Sequence, residues 1–155
     1  MVREAIFNIL AERVEGARVL DLYAGTGALG IEALSRGAAA AVFIDAEPAS
    51  CQAILQSLSR AGFEARGTVI RGRLPSATMS AEGVFDIVFL DPPYQLETAS
   101  ETLALVHARL AEDGVIVYEH GSRYNPPERP EGLRLVERRV YGDSAIALYA
   151  LQEVE

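Results

Sequence analysis

The sequence predicts an α/β protein: a mostly parallel sheet with helices on both faces and a C-terminal antiparallel hairpin. Short apolar runs alternate with helix-spaced amphipathic stretches along most of the chain, which is the pattern of β-α-β units. The runs at 41–44, 87–90 and 115–118 are continuously apolar, as in strands buried on both faces. The last two apolar stretches flank Tyr141-Gly142-Asp143-Ser144 and read as a hairpin.

The elements follow in order. Val2, Ile6, Ile9, Leu10 and Val14 recur at helical spacing and predict an opening amphipathic helix. Arg18 to Leu22 is the first strand. Ala28 to Arg36 is a helix with Gly37 just past its end. Ala41 to Ile44 is the second strand, and Pro48 opens a helix that runs to about Ala61 and closes at Gly62. Thr68 to Ile70 is the third strand, with a short helix after Pro75. Phe85 to Leu90 is the fourth strand, followed by a helix from about Thr98 to Leu110 and a fifth strand from Val115 to Tyr118. Leu133 to Val140 and Ala145 to Leu151 form the hairpin. The stretch from Gly121 to Gly132 holds Pro126, Pro127 and Pro130 and is long for a connector; it reads equally as a functional loop or as a stiffened crossover to an edge strand.

A chain of 155 residues, half of them hydrophobic, is expected to form one domain with a sizeable core. Cys51 is the only cysteine, so no internal disulfide can form, and a reducing cytoplasm is expected. No apolar run approaches the roughly 18 residues of a membrane span. The net charge of −8 argues against a protein that grips nucleic acid with its whole surface. All 14 basic residues are arginine, and five of them (Arg123, Arg129, Arg134, Arg138, Arg139) fall within one short segment, where a local basic patch competes with an ordinary solvated face.

Two motifs carry chemistry. Asp21-Leu22-Tyr23-Ala24-Gly25-Thr26-Gly27-Ala28-Leu29-Gly30 joins the first strand to a helix, where glycines permit a tight turn and close approach of backbone N–H groups to a ligand. Asp45 ends the second strand, 20 residues after Gly25, the spacing at which an acid meets ribose hydroxyls. Gly25, Gly27 and Gly30 also satisfy a dinucleotide fingerprint, so the glycines alone do not choose a ligand. Asp21 decides more. An acid just before the loop repels a pyrophosphate and suits a ligand carrying ammonium and sulfonium groups, such as S-adenosylmethionine.

The second motif is Asp91-Pro92-Pro93-Tyr94. Two prolines stop the fourth strand at its carboxyl end, where open α/β sheets bind ligands. The stop presents a carboxylate, rigid carbonyls and an aromatic ring. Asp91 and the Pro92 carbonyl are expected to accept the two N–H bonds of a planar amine, and Tyr94 to stack on its ring, a contact of about 1–3 kcal/mol. Neither His107, His120 nor Cys51 falls in a metal-ligand spacing, so no metal is expected.

With these residues, the chain resembles the RsmD-type methyltransferases, which methylate the N2 amine of a guanine in bacterial small-subunit ribosomal RNA. The resemblance is strongest in residues 2–10, 20–37 and 86–94. It implies a Rossmann-like class I S-adenosylmethionine-dependent fold with seven strands. It places the cofactor over Asp21, Tyr23, Ala24, Gly25, Thr26, Gly27 and Ala28, with its ribose on Asp45. Ala46, Arg73 and Leu74 complete that site. Asp91, Pro92, Pro93 and Tyr94 are the implied catalytic slot; Arg3, Phe7, Asn8 and Arg123 are implied to meet the substrate.

The implied partner is 16S rRNA or the 30S subunit, met by a cytoplasmic monomer. Two departures stand out. The family carries a basic segment before the opening helix, whereas this sequence starts inside that helix, so part of the RNA-gripping surface is expected to be missing. Arg73 stands where an acceptor for the adenine amine is usual. Adenine-N6 methylation of DNA, methylation of a protein amide and plain nucleotide binding are the competing readings.

Overall fold

The computed structural model describes residues 2–92 and 96–153. The element order is α1 (Val2–Leu10), β1 (Arg18–Leu22), α2 (Ala28–Ser35), β2 (Ala40–Asp45), α3 (Pro48–Ala61), β3 (Gly67–Arg71), β4 (Phe85–Leu90), α4 (Leu96–Val106), β5 (Leu110–Gly121), β6 (Leu133–Tyr141) and β7 (Ser144–Leu151). All seven strands join one sheet in the order β3-β2-β1-β4-β5-β7-β6. The first five in that order run parallel, and β7 lies antiparallel between β5 and β6.

Strand alternation sends successive side chains to opposite faces of the sheet. Val19, Phe43, Phe89 and Val117 pack one layer with Phe7, Leu10, Leu34 and Ile54 of the helices α1, α2 and α3. Leu20, Leu22, Val88, Leu90, Ile116 and Tyr149 pack the other with Leu103 and Val106 of α4. Both faces are therefore covered, which is why these strands read as unbroken apolar runs.

Several boundaries differ from the sequence expectation, and two of the shifts have a clear physical cause. The opening helix stops at Leu10 and tightens into a single 3-10 turn over Ala11–Arg13; Ala11 takes a φ of +47°, and Val14 turns inward to 2% exposure. Burial of Val14 outweighs continuation of the helix. The helix α4 ends at Val106 rather than Leu110, because Leu110 enters the second core layer and opens β5. The register there is irregular: Phe85 faces Leu110, whereas Ile87 faces Val115.

The sheet order reverses between β1 and β4, so the connections leave to opposite sides and open a crevice at their carboxyl ends. The register Leu22↔Ile44, Leu22↔Leu90 and Leu90↔Tyr118 aligns the strand ends. Tyr23, Asp45, Asp91 and Glu119 each stand one residue beyond that row and rim the crevice.

Candidate active site

The glycine loop is shaped by its backbone. Gly25 and Gly27 have φ of +58° and +77°, the left-handed region open to glycine at little cost. Tyr23 adopts φ +56° without being glycine, a strained conformation that clusters at functional sites. Its hydroxyl lies 3.3 Å from Thr102 Oγ1 of α4.

Gly30 is required for space: a Cβ there would stand 2.3 Å from a Phe43 ring carbon. Its N–H donates to Asp21 Oδ2 at 3.0 Å. Asp21 is only 3% exposed. Burial pushes its carboxyl up to about 8, against the Gly30 hydrogen bond, with the nearby charges of Asp91 and Asp45 adding to the rise.

Asp45 fastens the loop to the end of β2. Its Oδ2 accepts the Gly25 N–H at 2.9 Å, and its Oδ1 accepts the Glu47 N–H at 2.9 Å. Each carboxylate oxygen retains a further lone pair. The same residue can therefore hold the loop and still accept from a ligand's hydroxyls.

These rims enclose a cavity of about 990 Å³ that includes Tyr23, Asp45, Ala46, Arg73, Leu74, Asp91, Pro92 and Arg123 among its walls. The volume suits a nucleoside-sized ligand with room beside it. Acidic groups outnumber basic ones on its walls: Asp45, Glu47, Asp91, Glu119 and Asp143 against Arg73 and Arg123. Desolvation pushes the Asp91 carboxyl above the ordinary range. Glu119 is raised by desolvation and then by the charge of Asp91. A cavity of this kind favours a cationic guest.

The structure thus brings eight of the sequence-derived site residues to one cavity and leaves others off its walls. Asp21, Ala24, Gly25, Thr26, Gly27 and Ala28 are not among its wall residues; they belong to the end of β1, the glycine loop and the start of α2. Arg3 and Asn8 are exposed on α1. Phe7 is 2% exposed, 5.8 Å from the Phe89 ring by centroids and under the Arg36 guanidinium at 4.8 Å, and so seats α1 on the sheet. Pro93 and Tyr94 lie outside the described residues.

The walls also hold residues that the motifs did not single out as site residues: Tyr118, Glu119, His120, Ser122 and Tyr124. They come from the end of β5 and the start of the proline-bearing loop. His120 packs its ring against Tyr118 and Tyr124, with centroids at 5.1 and 5.6 Å. Its Nδ1 donates to the Gly121 carbonyl at 2.8 Å, since a carbonyl can only accept. The loop is held in place: Arg138 Nη2 donates to the carbonyls of Ser122 and Tyr124 at 2.7 and 3.3 Å, and Tyr149 Oη donates to that of Pro127 at 2.7 Å. The unusual length of the loop was a signal in the sequence that pointed to this wall.

Arg139 pairs with Glu137 at 3.0 Å and Arg138 points inward, so the arginine-rich segment spreads over several environments. Among the described residues, no group of three His, Cys, Asp or Glu side chains is placed to hold a metal ion, and no helix is long and apolar enough to cross a membrane.

Comparison with known proteins gives the family and the fold. The family model "Conserved hypothetical protein 95" matches residues 1–150. The Ribosomal RNA small subunit methyltransferase D of Escherichia coli K12 is 35% identical over 152 residues, covering 96% of this chain and 75% of that protein. A conserved hypothetical protein of Streptococcus pyogenes superposes with a TM-score of 0.88 at 35% identity, over 97% of this chain and 95% of the other.

The ribosomal protein L11 methylase of Lactobacillus delbrueckii subsp. bulgaricus, 16% identical, shares the fold with a TM-score of 0.77 over 96% of this chain and 77% of its own. The sheet is that of class I methyltransferases, whose methyl donor is S-adenosyl-L-methionine, and the acid-rich cavity and the free lone pairs of Asp45 fit that cation and its ribose. The chain belongs to the RsmD-type methyltransferase family.

Proposed function

We propose that this protein is a cytoplasmic, single-domain monomer that transfers a methyl group to the exocyclic N2 amine of a guanine in bacterial 16S ribosomal RNA, free or in the 30S subunit. The observation that carries the reading is that Asp91 and Pro92 share one cavity with Tyr23 and Asp45. The acceptor pair for an amine thus adjoins the loop that holds the donor. The name of the 35%-identical relative supports small-subunit ribosomal RNA as the substrate.

The bound cofactor supplies an electrophilic methyl on a sulfonium. The residues of this chain do the rest. Asp45 keeps the loop closed and accepts from the ribose. The acidic walls, Asp91 and Glu119 foremost, stabilise the positive charge. Asp91 and the Pro92 carbonyl accept the two N–H bonds of the target amine. They shift density onto nitrogen and aim its lone pair along the line of attack, so that positioning carries most of the rate.

As the nitrogen becomes cationic, the Asp91 carboxylate is placed to stabilise it and to take its proton. Its desolvated state strengthens both effects. The resemblance assigns Pro93 and Tyr94 to the same slot, where Tyr94 would stack on the base. A paired base cannot reach this crevice and enters unpaired or flipped out. Arg3, Asn8 and Arg123 contact the RNA from the rim. Arg73 and Leu74, on the cavity wall, would border the adenine.

The test is transfer of a labelled methyl to unmodified 30S subunits, to free 16S RNA and to duplex DNA in parallel, with mapping of the modified nucleoside. N2-methylguanosine in the RNA arms supports the reading. N6-methyladenine in the DNA arm overturns it in favour of a DNA methylase, and no transfer in any arm removes the RNA assignment.

A further inference from the structure

Glu119 lies on β5, next to the strand that leads into Asp91, and lines the same cavity. The parallel register runs to Leu90↔Tyr118, and Asp91 and Glu119 are the next residues along the two neighbouring chains; both line the cavity. Neighbouring strands sit about 4.8 Å apart. The two carboxyls share a field: the Asp91 charge raises Glu119, and both lose solvent to the cavity walls.

On another wall of the same cavity, across β5 from Glu119, His120 is 9% exposed, and its Nε2 has no hydrogen-bond partner among the described residues. With Nδ1 donating to Gly121, that Nε2 is a bare acceptor. This end of the cavity is rich in acceptors and therefore asks for a guest edge that presents donors side by side.

Resting on the proposed guanine substrate, we infer that Glu119 is a specificity-determining residue that accepts the N1–H of the target guanine while Asp91 accepts from the adjacent N2 amine. Guanine presents N1–H and N2–H₂ next to each other on its Watson–Crick edge. Adenine presents a lone pair at N1 beside its amine, which would face the Glu119 carboxylate. The mismatch leaves two acceptors facing each other without water, so adenine and any purine with a bare N1 are rejected. Glu119 thus sets which amine is methylated, and Asp91 activates it.

The experiment uses 30S subunits reconstituted with 2-aminopurine in place of the modified guanine. This base keeps the 2-amino group and replaces N1–H by a lone pair. Wild-type protein and Glu119→Gln are assayed on both substrates. The amide of glutamine can donate to a bare N1. The expected result is that wild type strongly prefers guanine and that Glu119→Gln narrows the preference about tenfold or more, chiefly through a lower KM for the 2-aminopurine substrate.

The preference is a ratio within one protein, so partial unfolding of the variant does not alter it. If Glu119→Gln abolishes transfer, the ratio of RNA-binding affinities for the two substrates gives the same reading. An unchanged preference overturns the role of Glu119 and leaves the guanine-N2 reading standing. Wild-type protein inactive on the guanine substrate overturns both.

Discussion

The Asp45 carboxylate reaches back across the β1–β2 edge and accepts the Gly25 N–H at 2.9 Å, while its other oxygen accepts the N–H of Glu47. One acid thus fixes the glycine loop and faces the cavity. Asp45→Ala removes both hydrogen bonds and the ribose acceptor. It is expected to destabilise the protein by about 1–3 kcal/mol and to weaken S-adenosylmethionine binding tenfold or more. Denaturant melts and calorimetric titration of the cofactor measure the two effects, and an unchanged affinity would show that Asp45 serves the fold alone.

Gly30 and Phe43 form a tight contact that leaves no space for a Cβ, and Gly30 lies against Asp21 as well. Gly30→Ala is expected to cost about 1–3 kcal/mol through overpacking. Phe43→Leu in that background should recover part of the loss, giving a non-additive double-mutant cycle. Additive losses would mean that the alanine acts through the hydrogen bond from Gly30 to Asp21 instead.

Asp21 makes stability fall as pH rises. Its folded pKa of about 8 lies above the ordinary 3.8, so the folded state binds the extra proton between those values. Stability linked to that proton is complete below the unfolded value and is lost as pH rises through the folded one. Asp21→Asn, which cannot ionise, should flatten the slope by up to about 1.4 kcal/mol per pH unit. Urea midpoints of the free protein at a series of pH values between the two pKa values check this. Equal slopes in the two proteins would place the titration elsewhere.

Arg138 holds the loop that forms the outer wall through the Ser122 and Tyr124 carbonyls. Arg138→Met keeps the aliphatic stem and loses the clamp. The expected outcome is a KM for RNA raised about tenfold, equivalent to about 1.4 kcal/mol, with cofactor affinity kept within twofold. Steady-state kinetics with RNA varied at saturating cofactor gives the answer; a changed cofactor affinity with unchanged KM for RNA would contradict this role for the loop.

The fold was legible because the parallel strands, buried on both faces, write themselves as apolar runs at 41–44 and 87–90, and because Gly62 ends α3 as a left-handed cap. The cavity floor was legible because its residues sit at strand ends beside glycines and prolines. Glu119 was not, because it lies at the end of an ordinary-looking strand. Only the pairing of β4 with β5 brings that strand end to the cavity that Asp91 lines. The end of α4 was also hidden, since local helix propensity through Leu110 gives no sign that its side chain is claimed by the second core layer.

The central claim is that Asp91 activates the target amine without holding the cofactor. The most direct measurement is single-turnover methyl transfer to unmodified 30S subunits by wild type and Asp91→Ala, with the cofactor affinity of each measured alongside. The expected result is N2-methylguanosine from wild type, a rate lower by about 10²-fold or more in Asp91→Ala, and cofactor affinity within a few-fold. Transfer at the wild-type rate by Asp91→Ala would contradict the account.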